Sequence, residues 1–271
     1  MSENINTDEA PRYSPPTGRP LGTNRYFRFA SWVLIPILKA LTKRTWRGVE
    51  NIPHSGPVIV ISNHISYADP LIFTHFLFAN GRAPRYLGKS SVFKIPLIGK
   101  ILAGSGQIPV ERETSQASHS LRHALAFLEA GHCLGVYPEG TLTRDENGWP
   151  MVGKTGIARL AILSKAPVIP CVQWGARDLL PPYGKVPRLW PRTKVTVVAG
   201  TPLDFSRWYG MAEDQSAVIE ATDYVMNTLT KMLEEIRGET APKIRFDPHL
   251  SDLPRTGNYK KSSSSKKKEQ S

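Results

Sequence analysis

The chain has 271 residues, 40% of them apolar and 9% aromatic, which excludes a wholly disordered or fibrous protein and allows one sizeable core. Its two cysteines exclude a disulfide scaffold. The net charge of +12 is local: residues 255–271 hold six Lys/Arg against one Glu, and residues 26–50 hold five against one. A basic excess placed this way points to anionic surfaces or ligands.

In chain order, residues 1–24 are polar, Pro-rich and mixed in charge, so a disordered leader is expected and no signal peptide is recognised. A cytoplasmic face is the expected location. Residues 25–43 read as a helix with an uncharged core of ten residues from Phe29 to Leu38, whereas a spanning helix needs about 20. Arg28, Lys39, Lys43, Arg44 and Arg47 flank that core, and Tyr26, Phe27 and Trp32 suit an interface. The expectation is a helix lying in the headgroup layer of an anionic membrane. The competing reading is a core helix kinked at Pro36.

Strands are then expected at 46–50, 58–62, 85–89, 107–110, 133–137, 168–173 and 194–198, with Pro109 marking an edge or a bulge. Helices are expected at 98–102, 115–130, 156–164 and 213–237, the last with Val218, Ala221, Val225, Leu229, Met232 and Ile236 on one face and Gly238 at its end. Alternating strands and helices predict a single α/β domain over residues 44–238, a central parallel or mixed sheet flanked by helices. Residues 239–271 are expected to form a basic disordered tail. Cys133 and Cys171 lie in apolar strand-like runs, where reduced, buried thiols are expected.

The chemistry concentrates at Asn63-His64-Ile65-Ser66-Tyr67-Ala68-Asp69-Pro70, directly after the run Val58–Ser62. Histidine is the usual side chain for taking a proton from a hydroxyl near neutral pH, and an aspartate can fix its tautomer. Residues five apart point about 140° away from each other on a helix, so a His64–Asp69 contact requires a turn. Asp69 as N-cap and Pro70 at the first helical position would place His64 on the strand-to-helix loop. The plainer alternative is a cap aspartate beside a loop histidine.

Three further segments carry charged residues: Gly106–Arg112 and Val136–Arg144 each end a strand, and Gly153–Gly156 precedes a helix. Arginine forks and lysines following strand ends suit phosphate; an exposed loop charge is the alternative for each.

In these blocks the chain resembles the glycerolipid acyltransferases typified by 1-acylglycerol-3-phosphate (lysophosphatidic acid) acyltransferases. That family carries N-H-x-x-x-x-D, a G-x-I-x-(V/I)-D-R block, P-E-G-T-R-S-R and a V-x-P strand, in that order. The matches are Asn63-His64…Asp69, Gly106…Arg112, Pro138-Glu139-Gly140-Thr141…Arg144 and Val168-Ile169-Pro170. Glu111 stands where the family has Asp, Leu142 where it has its first Arg, and Thr143 where it has Ser. Lys89 and the pair Lys154/Gly156 fall where members often carry a lysine and a lysine–glycine pair. The resemblance implies His64 as general base, Asp69 as its partner, and Arg112, Glu139, Gly140, Thr141, Arg144 and Lys89 at the acceptor. It implies an acyl-CoA or acyl-carrier protein donor, a lysophospholipid acceptor, no cofactor and no metal.

Some patterns compete. Gly148–Thr155 fits G-x-x-x-x-G-K-T, but polar turn residues Arg144–Asn147 precede it where a phosphate loop needs a strand. His119 and His123 are one helical turn apart without a third ligand in view, which favours a solvent-facing helix over a metal pair. The segment Trp174–Trp190, rich in Pro, aromatics and cations, reads either as a headgroup contact or as a packed surface loop. The Lys266–Lys268 run is expected to be solvated or lipid-facing, with no nucleic-acid partner.

Overall fold

The computed structural model describes residues 19–110, 117–184 and 186–251. Helix α1 (Arg25–Leu41) opens it and runs straight into strand β1 (Thr42–Arg47). Then follow β2 (Val58–Ser62), α2 (Asp69–Ala79), β3 (Arg85–Lys89), the short α3 (Ser90–Phe93) and α4 (Ile98–Gly104). Next come β4 (Ile108–Val110), α5 (Ala117–Glu129), β5 (Cys133–Val136), α6 (Gly156–Ser164) and β6 (Val168–Trp174). The last elements are the short α7 (Ala176–Leu179), β7 (Thr193–Ala199) and α8 (Gln215–Arg237).

The strands form one seven-stranded sheet in the order β1-β7-β6-β2-β5-β3-β4. All neighbours pair in parallel except β6 and β7, so the sheet is mixed. Pro109 sits on β4 at the sheet edge, where a missing N–H costs no ladder bond.

β2 shows why the fold is layered. It is five residues, all buried, in the centre of the sheet. Because successive strand side chains alternate faces, Ile59 and Ile61 enter a core with α5, α6 and α8, while Val58 and Val60 enter a second core with α2. Each such side chain contributes about 1.5–3 kcal/mol on burial. α8 buries Val218, Ala221, Thr222, Val225, Met226, Leu229 and Leu233 along one stripe. Asp214 caps it by accepting from the Ser216 and Ala217 N–H groups, and Gly238, at φ 65°, ends it in the left-handed region.

Several expectations shift. The strand expected at 46–50 begins at Thr42, and Val49–Asn51 is a 3₁₀ turn. α3 and α7 are single turns, too short for a sequence period to reveal. Residues 239–250, expected within a disordered tail, run back along α8: Arg245 reaches Asp223 and Asn227, and the Val152 N–H donates to the Phe246 carbonyl. Both cysteines are free and buried, and burial pushes the Cys133 thiol up to about 12.

α1 buries Phe27, Ser31 and Leu38, and Leu41 packs partly buried against the core. Phe29, Trp32, Val33, Pro36, Ile37 and Ala40, at helical spacing, face outward. The side chain of Asn24 accepts from the Phe27 N–H at 3.0 Å and donates to the Gly104 carbonyl at 2.8 Å, fixing the start of α1 to the end of α4. Among the described residues no helix is long and apolar enough to cross a membrane.

Candidate active site

β2, β5, β3 and β4 are parallel neighbours, so the segments that follow them emerge at one edge of the sheet, the usual address for ligands in α/β folds. His64 follows β2 there. Its Nδ1 lies 2.9 Å from Asp69 Oδ2. The same oxygen accepts from the Ile65 N–H at 2.6 Å and the Ser66 N–H at 2.7 Å. Asp69 is fully buried, while His64 keeps a side-chain exposure of 14%. A carboxylate held by backbone donors and paired with Nδ1 fixes the tautomer that leaves Nε2 free to take a proton.

This geometry corrects the cap assignment. α2 starts at Asp69 itself, with Ala68 as N-cap and no side-chain cap bond. The Asp69 carboxylate bonds to N–H groups before it in the chain, and so closes the turn that its spacing from His64 demanded. Ser66 secures the same turn, accepting from the Ala68 N–H and donating to the Leu180 carbonyl at 2.6 Å.

The loop after β5 grips the His64 backbone from both sides. The His64 N–H donates to Glu139 Oε1 at 3.0 Å, and the Thr143 N–H donates to the His64 carbonyl at 2.7 Å. Glu139 Oε2 accepts from the Met151 N–H at 3.1 Å. Glu139 is thus buried beneath the site with both oxygens engaged. Burial pushes its carboxyl up to about 8, against the Met151 and His64 N–H groups and the Thr143 hydroxyl, which favour the charged form.

Gly140, at φ 68°, lies under the Lys154 side chain: a Cβ there would come within 2.9 Å of the lysine methylenes and 3.2 Å of Nζ. Glycine is favoured there by its positive φ, and a side chain in its place would push the flexible end of Lys154 aside. Thr141 is partly exposed beside it, Arg144 is fully buried, and Leu142 is buried where the family places an arginine. Lys89 ends β3, in register with Val110 at the end of β4. Arg112 and Glu111 lie outside the described residues, as does much of the expected Gly106–Arg112 block's charged end. No strand directly precedes Gly148, so the phosphate-loop reading lacks its scaffold.

Two supporting residues, Gln173 and Tyr137, were not singled out from sequence, and a third, Lys154, was. Gln173 exchanges two bonds with the Asn63 side chain: Asn63 Nδ2 donates to the Gln173 carbonyl at 3.0 Å, and the Gln173 N–H donates to Asn63 Oδ1 at 2.9 Å. This carries the β2–β6 pairing one residue further, to the residue before His64. The only sequence signal was a glutamine closing an otherwise apolar strand. The Tyr137 ring stacks on the His64 imidazole, centroids 4.2 Å apart; burial holds its hydroxyl well above the ordinary tyrosine range. Lys154, expected from sequence as a cation suited to phosphate, stands over Gly140.

Comparison with known proteins agrees with this arrangement. Residues 43–174 match the acyltransferase family model. The chain is 33% identical over 132 residues to a 1-acyl-sn-glycerol-3-phosphate acyltransferase of Borreliella burgdorferi, covering 48% of this chain and 51% of that protein. It is 29% identical over 137 residues to a chloroplastic 1-acyl-sn-glycerol-3-phosphate acyltransferase of Brassica napus, covering 50% of this chain and 38% of that one. The match therefore spans about half of one relative's length and 38% of the other's. The fold is shared with the crystal structure of the 1-acyl-sn-glycerophosphate acyltransferase PlsC of Thermotoga maritima, at a TM-score of 0.58 and 23% identity over 80% of this chain and 89% of that one. The His64–Asp69 turn and the Pro138–Arg144 loop both lie inside this matched stretch, so residues 43–174 form an acyltransferase-type region similar to the 1-acylglycerol-3-phosphate acyltransferases.

Proposed function

We propose that this protein moves a fatty acyl group from an acyl thioester to the free hydroxyl of a lysophospholipid, with 1-acylglycerol-3-phosphate as acceptor and phosphatidic acid as product. The observation that carries this reading is the 2.9 Å His64–Asp69 contact, locked by two backbone donors on the same carboxylate oxygen. The acceptor hydroxyl attacks the thioester carbonyl while His64 Nε2 takes its proton. The tetrahedral intermediate then collapses, the thiolate leaves, and the imidazolium returns the proton to it. General-base catalysis of this kind contributes about 10²–10⁴-fold, and positioning of the two substrates supplies much of the rest.

The acceptor phosphate is assigned to Gly140, Thr141, Lys154, Arg112 and Arg144, with Lys89 nearby. Glu139 supports that site from beneath by holding its loop against His64. The donor is acyl-CoA or acyl-carrier protein.

The protein works at the cytoplasmic face of a membrane. What supports this is the outward stripe Phe29, Trp32, Val33, Pro36, Ile37 on α1, with Trp32 75% exposed and Arg25, Arg28 and Lys39 beside it.

The test is release of free thiol from acyl-CoA against a panel of lysolipid acceptors. Release should require an acceptor, be fastest with 1-acylglycerol-3-phosphate, and vanish in His64→Ala. A preference for a glycolipid acceptor would move the assignment within the family. Equal release in His64→Ala would end it.

A further inference from the structure

The segment 186–192 exposes three large apolar side chains within five residues: Val186, Leu189 and Trp190 are 78%, 64% and 81% exposed. Clustered exposed apolar groups mark a contact surface, whereas isolated ones do not. Arg188 and Arg192 lie among them, also exposed, and no acidic residue occurs between Asp178 and Asp204. A tryptophan and a leucine set between arginines form the side-chain set that suits the boundary between lipid headgroups and acyl chains.

The position of this segment matters as much as its composition. At one end it is fixed to the catalytic turn: the Ser66 hydroxyl donates to the Leu180 carbonyl, Tyr67 meets Tyr183 ring-edge to ring-face at 5.8 Å, and the Arg188 N–H donates to the Leu179 carbonyl. At the other end, Arg192 Nη2 donates to the Lys39 and Thr42 carbonyls, both at 2.8 Å. Those are the carbonyls where α1 finishes. The exposed segment is thereby tied at one end to the turn that carries His64 and at the other to the C-terminal end of α1.

We infer that segment 186–192 is a second bilayer-contacting element, which inserts Leu189 and Trp190 among anionic lipids beside α1 and seats the His64 site against the membrane surface. This rests on the reading of the chain as a lysophospholipid acyltransferase docked through α1. A single helix can roll on a membrane about its own axis; a second anchor beyond its end fixes the orientation. The acceptor, an amphiphile held in the same leaflet, then meets the site without leaving lipid.

The experiment uses the full chain with Trp190→Cys carrying an environment-sensitive fluorophore, and a parallel Trp32→Cys sample labelled in the same way. Cys133 and Cys171 are buried, with thiols pushed up by burial, so the introduced cysteine is the one that reacts. On vesicles of phosphatidylcholine with phosphatidylglycerol, both labels should shift to the blue and be quenched by bromines on the acyl chains. The shift at position 190 should weaken on phosphatidylcholine alone. Leu189→Ser with Trp190→Ala should lower partition onto the anionic vesicles roughly tenfold, while thiol release with a monodisperse short-chain acceptor stays unchanged. A label at 190 that remains in water while the label at 32 enters lipid overturns the inference and leaves α1 docking in place. If neither enters, both membrane assignments fall. Absence of thiol release from the parent chain with every lysolipid would instead end the enzymatic reading.

Discussion

The His64 edge of the sheet and the α1 shoulder are built in opposite ways. At the edge, polar groups are buried and each is held: Asp69 by two N–H groups, Asn63 by Gln173, Glu139 by His64 and Met151. On the shoulder, apolar groups are exposed, and the helix fully buries Phe27, Ser31 and Leu38. Each arrangement costs free energy if the protein merely has to fold in water. A buried polar network is warranted by chemistry that needs fixed atoms, and an exposed apolar stripe by a second, non-aqueous phase. Variants should therefore separate the two regions: edge changes act on turnover, shoulder changes on membrane partition.

The largest effect expected is on turnover in His64→Ala. Loss of the base should lower it by about 10²–10⁴-fold, with circular dichroism unchanged, since the side chain is bonded only to Asp69 among the described residues. Asp69→Asn should follow at roughly 10²-fold. Its amide oxygen, in the place of Oδ2, can still accept from Ile65, Ser66 and Nδ1–H, but the negative charge that stabilises the imidazolium formed when His64 takes a proton is lost. Kinetics at saturating acceptor measure both. An Asn variant with full activity would reduce Asp69 to a turn-closing residue.

Lys154→Ala tests the acceptor end. Its ammonium stands over Gly140, so its loss should raise KM for 1-acylglycerol-3-phosphate about tenfold, the scale of one charge-assisted bond, with kcat little changed. Added salt should erode the same difference in the parent chain. A fall in kcat at constant KM would place Lys154 in the chemical step.

Glu139 gives a prediction in pH. Its carboxyl is raised to about 8 in the folded protein, above the ordinary glutamate range. The folded state thus binds the proton more tightly than the unfolded chain. The stability it contributes is fully present below the ordinary glutamate range and is lost as pH rises to about 8. Urea unfolding across that window should show the decline, and Glu139→Gln should flatten it. A parallel decline in both proteins would assign the pH dependence elsewhere.

Much of the fold was legible because its strands are continuous apolar runs. Val58–Ser62 lies where its continuous apolar, β-branched run places it, and the strand expected at 168–173 ends one residue later, at Trp174. The sheet order was not legible, since β6 pairs with β2 across more than a hundred intervening residues and nothing local encodes that choice. At the site, His64 and Asp69 were readable from spacing alone as a candidate pair. Gln173 and Tyr137 were not: the one supports through the sheet ladder and the other through ring stacking, and both depend on tertiary neighbours. Asp69 was misread as a cap because Asp-Pro is a sound local helix start; the tertiary demand for a His partner turned its carboxylate the other way.

The smallest effect should appear where the difference between the two regions is sharpest. Trp32 is 75% exposed on α1, so Trp32→Ser removes little buried area and should change stability by no more than about 0.5 kcal/mol. Turnover on a monodisperse acceptor should also be unchanged, because α1 contributes no atom to the His64 turn. Partition onto anionic vesicles should nevertheless fall several-fold, as an interfacial indole is withdrawn from lipid. Denaturant unfolding and vesicle sedimentation of one protein sample decide the matter. A variant that unfolds easily would make the stripe a packing face for another part of the protein. One that folds and turns over normally but no longer sediments with lipid would make it a membrane face, and would show that apolar periodicity on a helix names its partner only once its inward side is known.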